Sequence, residues 1–339
     1  MQIVFLSARP ELLAETLGHV SHFAPFIDDV VVIAPDHLRP AMQESCKQSG
    51  YSIEVISDEA VTGLSTAAIG ALDHTSRNYR LRADASKHDA LAETFIMSDD
   101  DSRPLKAIDE STFITDNNQH RRRWFYTLAG WRHGATDFDQ GLLHSWIILR
   151  QLGHADPLAY ASHMPQIIDK ALYAEVAALL GTYAEQFAID EWSMYFTIGP
   201  SIHPELFAKP EPFVTLAWPQ YPGEWAHQIT PPEHVFENFH PELYEEGGLY
   251  DGLGAACDPA TVDAENLEKI MRWYRLDRQV RELAFPNDVD QPWTSHSAGR
   301  KIAFRGLRAA RSAYRYVALD DRARLSELEG RIRSIEQGP

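Results

Sequence analysis

AETFIMSDDDSRPL, residues 92–105, sets how the rest of the chain is read. Thr94 to Met97 form a short apolar run of strand character, and the carboxylates Asp99, Asp100 and Asp101 follow it almost at once. Like charges at this range and reduced dielectric repel by on the order of 1 kcal/mol per contact. A hard divalent cation relieves that repulsion, because Mg²⁺, Mn²⁺ and Ca²⁺ all prefer oxygen ligands. In an open α/β sheet, ligands bind beyond the carboxyl ends of the strands. The stretch therefore predicts a cation held at a strand end, where it bridges a ligand's phosphates. The competing expectation is an acidic solvated turn.

The preceding sequence supplies the rest of a sheet. Gln2–Ser7 (QIVFLS), Asp29–Ala34 (DVVVIA) and Ile53–Ile56 (IEVI) are apolar runs of buried-strand type. Glu11–Phe23 carries Leu12, Leu13, Leu17, Val20 and Phe23 at helical spacing. This strand–helix–strand rhythm predicts an α/β fold with parallel strands and crossover helices. No G-x-G-x-x-G follows the first strand and no G-x-x-x-x-G-K occurs, so neither a dinucleotide-binding motif nor a P-loop is supported. Residues 78–93 read as a helix leading into the aspartate strand. Arg80, Arg82, Asp84 and Lys87 lie in its first turns, and Arg80, Asp84 and Lys87 share one face. Those cations meet a diphosphate, pair with the aspartates, or form a charged solvated face.

Downstream, DNNQHRRR (Asp116–Arg123) precedes Trp124, Phe125, Tyr126 and Trp131. This is either a site for an anionic or sugar ligand or a basic loop entering an aromatic core strand. Leu142–Leu152 reads as a helix. Ile167–Phe187 reads as a longer one, with Ile168, Leu172, Val176, Leu179, Leu180, Tyr183 and Phe187 along one stripe. His163 lies just before it, next to Pro165. Asp190 and Glu191, beside Trp192, are candidates to orient an acceptor hydroxyl or take its proton, or else to cap the next helix. Residues 200–254 are rich in Pro, Gly, His and aromatics, as in ordered loops that wall a site. Of His203, His227, His234 and His240 there, His240 in NFHPELY is the candidate third metal ligand.

Composition bounds the class. The chain has 339 residues, 44% of them hydrophobic, and a formal net charge of −18. That argues for a large folded body and against a general nucleic-acid binder. From Gly299 onward, ten Lys or Arg stand against five acids. Leu325, Leu328, Ile332 and Ile335 there have coiled-coil spacing. The expected organisation is a body over residues 1–255, with halves at about 1–115 and 116–255, and a helical extension over 256–339 that is basic from 299. That extension is expected to dimerise, to pack on the body, or to lie on an anionic membrane surface. Two cysteines, Cys46 and Cys257, without metal-ligand spacing fit a reducing cytoplasm. The start lacks the pattern of a secretion signal, and no span of about 20 apolar residues occurs. A soluble protein, at most peripheral on the inner membrane face, is expected.

The order of these elements resembles that of GT-A glycosyltransferases: a nucleotide-binding α/β half, aspartates ending a strand, then an acceptor half. Within that group HFAPFIDDVVVIAPD (His22–Asp36), IMSDDDSRPL (Ile96–Leu105) and SHMPQIIDKALYAEV (Ser162–Val176) are more loosely similar to the Stealth sugar-phosphate transferases and to bacterial surface-glycan glycosyltransferases. QIVFLSARP stands where Stealth proteins carry an Asp-Ala-Val-Tyr-Thr-Trp-Val-Asp type strand, which favours glycosyl transfer. The resemblance implies a Rossmann-type mixed sheet flanked by helices and a metal-dependent transfer from a nucleotide sugar to a glycan or small-molecule hydroxyl. It implies that Asp99 and Asp101 form a D-x-D pair on Mn²⁺ or Mg²⁺, with Asp100 between them contacting the donor. Arg9, Arg80 and Lys87 would contact the donor, and His163 would face its phosphates or the acceptor. Glu191 would act as base if configuration inverts. The alternatives are a Stealth-like sugar-1-phosphate transferase, a carbohydrate-binding or scaffold protein, and a metal-dependent hydrolase.

Overall fold

The computed structural model describes residues 1–128, 137–216, 235–241, 244–245 and 329–332. The chain opens with β1 (Gln2–Leu6), α1 (Pro10–Phe23), β2 (Asp29–Ala34), α2 (Arg39–Ser45) and β3 (Ile53–Ser57). Two five-residue helices follow, α3 (Asp58–Thr62) and α4 (Thr66–Gly70), then α5 (His74–Ala85), β4 (Thr94–Asp99) and β5 (Ser102–Pro104). Next come β6 (Arg123–Trp124), β7 (Tyr126–Thr127), α6 (Asp137–Gln151), β8 (Leu158–Ala159), β9 (Gln166–Asp169), α7 (Lys170–Ala184) and α8 (Glu191–Ile202). Short strands β10 (Glu211–Pro212), β11 (Thr215–Leu216) and β12 (Phe236–Asn238) complete the set.

The central sheet has the order β3-β2-β1-β4-β9. Its first four strands are parallel, and β9 closes the edge antiparallel to β4. Alternation along the strands builds two cores. Val4, Val31, Ile33, Ile56, Phe95, Met97 and Ile168 face a layer formed by α5 to α8. Ile3, Phe5, Val30, Val32, Val55, Ile96 and Ile167 face α1 and α2. The chain winds outward from β1 to β3 and then jumps back past β1 to β4. Right-handed crossovers put α1 and α5 on opposite faces. The reversal between β1 and β4 is the topological switch point, where the loops diverge and leave a crevice.

Two element boundaries differ from the sequence expectation. The helix expected over residues 78–93 is α5, His74–Ala85, started by Asp73 capping the Ser76 amide at 2.9 Å. Ser86 stops it by turning its hydroxyl back to the Ala83 carbonyl at 2.7 Å. The helix expected from Ile167 begins instead at Lys170, because Ile167 and Ile168 pair as strand with Ile96 and Phe95. Two β-branched residues buried on opposite faces suit a sheet edge. Asp169 then caps α7 by accepting from the Leu172 amide at 2.9 Å. Leu179, placed on the apolar stripe, is 59% exposed.

The triple arginine is structural. Arg121 and Arg123 both reach Glu211, at 2.6 and 2.7 Å. Arg122 donates to the Phe196 and Ala208 carbonyls. Of the C-terminal apolar stripe, Ile332 is wholly buried in the α5–α8 core, with Arg331 over the Phe187 ring. Leu325, Leu328 and Ile335, Trp131 and most of the expected helical extension lie outside the described residues. No helix among the described residues is long and apolar enough to cross a membrane.

Asp58, at the carboxyl end of β3, is buried, and its Oδ1 has no hydrogen-bond partner. Burial pushes its carboxyl up to about 6, from 3.8. A carboxyl raised on folding stabilises most fully below its unfolded pKa, and that contribution is lost as pH rises through its folded pKa. Wild-type stability should therefore decline by about 3 kcal/mol through this group as pH rises, most of it between about pH 4 and pH 6. Denaturant unfolding of Asp58→Asn across that window is expected to lack this part of the decline; an unchanged slope would contradict it.

Candidate active site at the switch point

The three aspartates leave β4 beside the end of β1, so the crevice between those strands is acidic by construction. The three side chains do different things. Asp100 is buried and turned back toward β1: its Oδ2 accepts from Ser7 Oγ at 2.7 Å and Arg9 Nε at 3.1 Å, and its Oδ1 accepts from Arg9 Nη2. Its backbone carbonyl accepts from Thr16 Oγ1 of α1 at 2.5 Å. Asp100 thus ties the triplet to β1 and α1.

Asp99 and Asp101 stand on either side of it in the chain. Asp99 accepts from Arg82 Nη2, and Asp101 accepts from Arg9 Nη2 at 3.0 Å. Burial works against the Arg9 charge, but Asp100 and Asp101 outweigh it and raise its pKa. Asp101 is raised, first by burial and then by the Asp99 charge. Burial also opposes ionisation of Asp99, yet the Arg82 charge prevails and lowers it. The two carboxylates feel each other, and each already holds one guanidinium.

Arg82, one of the cations expected to meet a diphosphate or pair with the aspartates, pairs with Asp99. It is 1% exposed and bridges Asp99 and Glu191, with its guanidinium 4.7 Å above the Trp192 ring. Its Nε has no hydrogen-bond partner among the described residues. The signal of its burial lay in Thr75, Tyr79 and Arg82, which repeat at i, i+4 and i+7 along the buried face of α5. Arg80 and Lys87, expected at the donor, occupy the solvated face, where both pair with Asp84.

Asp190 caps α8 by accepting from the Ser193 amide at 2.8 Å. Burial, then the neighbouring Glu191 charge, pushes its carboxyl up to about 7. Glu191 opens the helix, 5% exposed, and is spent on Arg82. His163 takes a left-handed backbone, φ 49°, a conformation that costs a non-glycine residue on the order of 1 kcal/mol. Its ring sits among Phe125 and Phe138. Burial pushes its pKa down to about 4, against the pull of Asp99, with His240 adding to the fall. The imidazole is neutral at pH 7.

His240 arrives from β12, with its Nε2 3.0 Å from Asn238 Oδ1, and its charge acts on both Asp101 and His163. The structure thus brings Arg9, Asp99, Asp101, His163 and His240 together, with Glu191 joined to them through Arg82. His203 stands apart, exposed and paired with Glu205, and His227 and His234 lie outside the described residues. No group of three or more His, Cys, Asp or Glu among the described residues could hold a metal ion, so the expected set Asp99, Asp101 and His240 does not close into a cage.

No protein-family model matches the chain, and no curated protein matches it. Among solved structures, the chain is similar to galactosyltransferase LgtC in complex with donor and acceptor sugar analogs, at 10% identity and a TM-score of 0.45 over 80% of this chain and 95% of that one. It is similar to mouse xyloside xylosyltransferase 1 in its apo form, at 12% identity and a TM-score of 0.42 over 71% and 98%. A third similarity is to glucosyl-3-phosphoglycerate synthase from Mycobacterium tuberculosis in complex with Mn²⁺, UDP-glucose and phosphoglyceric acid, at 13% identity and a TM-score of 0.30 over 56% and 67%.

Proposed function

We propose that this chain is a divalent-metal-dependent glycosyltransferase of the GT-A type, which moves a sugar from a nucleotide-sugar donor to a hydroxyl of a glycan or small molecule. The observation that carries the reading is the pair Asp99 and Asp101 at the β1–β4 switch point, each held by an arginine from a different element. Oxygen donors of this kind fit Mg²⁺ or Mn²⁺. Such ions are held by one or two carboxylates and complete their shell with substrate phosphates and water, so a closed protein cage is not required.

In this reading Asp99 and Asp101 hold the cation; His240, which does not close a cage with them by itself, adds a third protein ligand once substrate phosphates help complete the shell. A bound divalent ion supplies Lewis-acid stabilisation of the charge that builds on the departing diphosphate. Arg9, with more than half of its side chain exposed, gives a second positive group for those phosphates. Arg82 fixes the spacing of Asp99 and Glu191 and is itself held flat on Trp192. Glu191 therefore positions Arg82, in place of the expected role as a base. Neutral His163 offers a hydrogen bond to the donor or acceptor. During transfer the bond from the anomeric carbon to the phosphate oxygen breaks, a bond to the acceptor oxygen forms, and the acceptor's proton is lost.

The test is turnover. The protein is incubated with UDP-, GDP- and dTDP-sugars, with Mn²⁺ or with EDTA, and the released nucleotide is identified. Release of a nucleoside diphosphate from one donor, abolished by EDTA, is the expected result. Release of the monophosphate would instead mark sugar-1-phosphate transfer, and no release from any donor would contradict the proposal.

A further inference from the structure

We propose that the buried pair Arg103–Glu237 is a positioning latch that docks residues 236–240 on β5 and so sets His240 beside Asp101. The inference rests on the functional reading above, in which His240 and Asp101 share a metal ion.

The segment carrying His240 has little backbone to hold it. β12 pairs antiparallel with β5 over only three residues, Phe236 with Pro104, Glu237 with Arg103 and Asn238 with Ser102. It pairs on its other side with only the two residues of β11. Strand pairs this short are marginal alone. What fastens them is a cross-strand ion pair with almost no exposure: Arg103 is 1% exposed and Glu237 0%. Arg103 Nε donates to Glu237 Oε1 at 2.5 Å, and Nη1 donates to Glu15 Oε1 of α1 at 2.9 Å. The other Glu237 oxygen accepts from Tyr244 Oη at 2.5 Å. The guanidinium lies 3.4 Å from the centroid of the Phe239 ring and 5.2 Å from that of Tyr244. One arginine thus binds three elements at once: its own strand, α1 and the incoming segment.

A buried ion pair is a poor source of net stability, and its best-attested use is to specify one arrangement over others. That use fits this place. Side chains alternate faces along a strand, so a slip of one residue would bring Phe236 or Asn238 opposite Arg103, leave both ions unpaired and turn the following residues to the wrong side. With the pair made, the Phe239 amide donates to the Asp101 carbonyl at 2.6 Å, and His240 follows directly. Arg103 lies two residues after Asp101, and Glu237 three before His240. The pair is thus the pivot between the two candidate ligands.

The experiment uses the full chain and two readouts. Hydrogen exchange of residues 235–241 is followed in metal-free wild type, Arg103→Met and Tyr244→Phe. Mn²⁺ affinity, in the presence of UDP or whichever nucleoside diphosphate the wild type binds, is measured for those proteins, for His240→Ala, and for each of the two combined with His240→Ala. Arg103→Met is expected to speed exchange in 235–241 selectively and to weaken Mn²⁺ binding about tenfold, the scale of losing a residue that orients a ligand. Combined with His240→Ala it should add almost nothing, because both changes remove the same ligand. Tyr244→Phe leaves the ion pair in place and should show the same pattern, at about two- to threefold, should Arg103→Met fail to fold. Unchanged exchange, or fully additive losses, in a wild type that binds Mn²⁺ would overturn the latch alone. A wild type that binds no Mn²⁺ with any nucleoside diphosphate would overturn the functional reading, and with it the purpose assigned to the latch.

Discussion

Replacing Asp101 by alanine is expected to abolish metal-dependent binding of a nucleoside diphosphate while leaving the fold intact. Asp101 contributes one of the two carboxylates assigned to the cation, and its loss should weaken that binding by roughly a hundredfold or more. Its structural contribution is small: one contact to Arg9, an arginine that keeps Asp100. Asp101 is also a partly buried carboxyl raised by burial and by the Asp99 charge, so its ionised form is unwelcome to the fold. The melting temperature of Asp101→Ala should therefore be unchanged or about a degree higher. Asp100→Ala should behave in the opposite way, because that side chain joins Ser7 and Arg9 to the triplet. It should melt lower, and its loss of binding should follow from misplacement of its neighbours. Calorimetric titration with Mn²⁺ and the nucleotide, alongside thermal denaturation, separates the two. Equal nucleotide affinity in Asp101→Ala and wild type would remove Asp101 from the site.

The second large effect is expected at Arg82. Arg82→Met keeps much of the volume and the contact with Trp192, but it strands Glu191 and Asp99 without their cation. Breaking a buried pair by removing one partner costs about 3–5 kcal/mol, since the remaining charge has lost its compensation. For a chain of this size that is a fall of about 10 °C in melting temperature. Arg82→Lys should recover part of it: an ammonium can meet one carboxylate but lacks the planar fork that spans two. Donor binding should fall in both variants through displacement of Asp99. Arg80→Met, two residues away on the solvated face, should melt within about a degree of wild type. Equal melting of Arg82→Met and Arg80→Met would show that the bridge does not hold the site together.

What the sequence made legible follows from how local each signal is. Three aspartates after an apolar run announce an acidic strand end wherever they fall, and β1 to β4 announce themselves by apolar runs between turn residues. Asp190 and Glu191 read as a candidate helix start, and Asp190 does cap α8, whereas nothing local announces the burial of Glu191 against Arg82. The signals that failed were ambiguous or long-range. Ile167 and Ile168 fit a helix stripe as well as a strand, and only pairing with β4 decides between them. On α5, the regular charge pattern of Arg80, Asp84 and Lys87 drew attention to the solvated face, while the functional arginine sits among Thr75 and Tyr79 on the buried one. The Arg103–Glu237 pair joins residues 134 positions apart, and nothing near either residue foretells the other. A donor, an acceptor and a sugar are chosen by the shape of loops that no spacing encodes.

The central claim is that Asp99 and Asp101 bind a nucleotide's phosphates through a divalent cation, and one titration addresses it most directly. UDP, GDP and dTDP are titrated calorimetrically into the full chain, first with Mn²⁺ and then with EDTA. The account predicts that one of them binds with Mn²⁺ and that this binding disappears with EDTA. Binding of equal strength in EDTA, or no binding of any nucleotide under either condition, would contradict it.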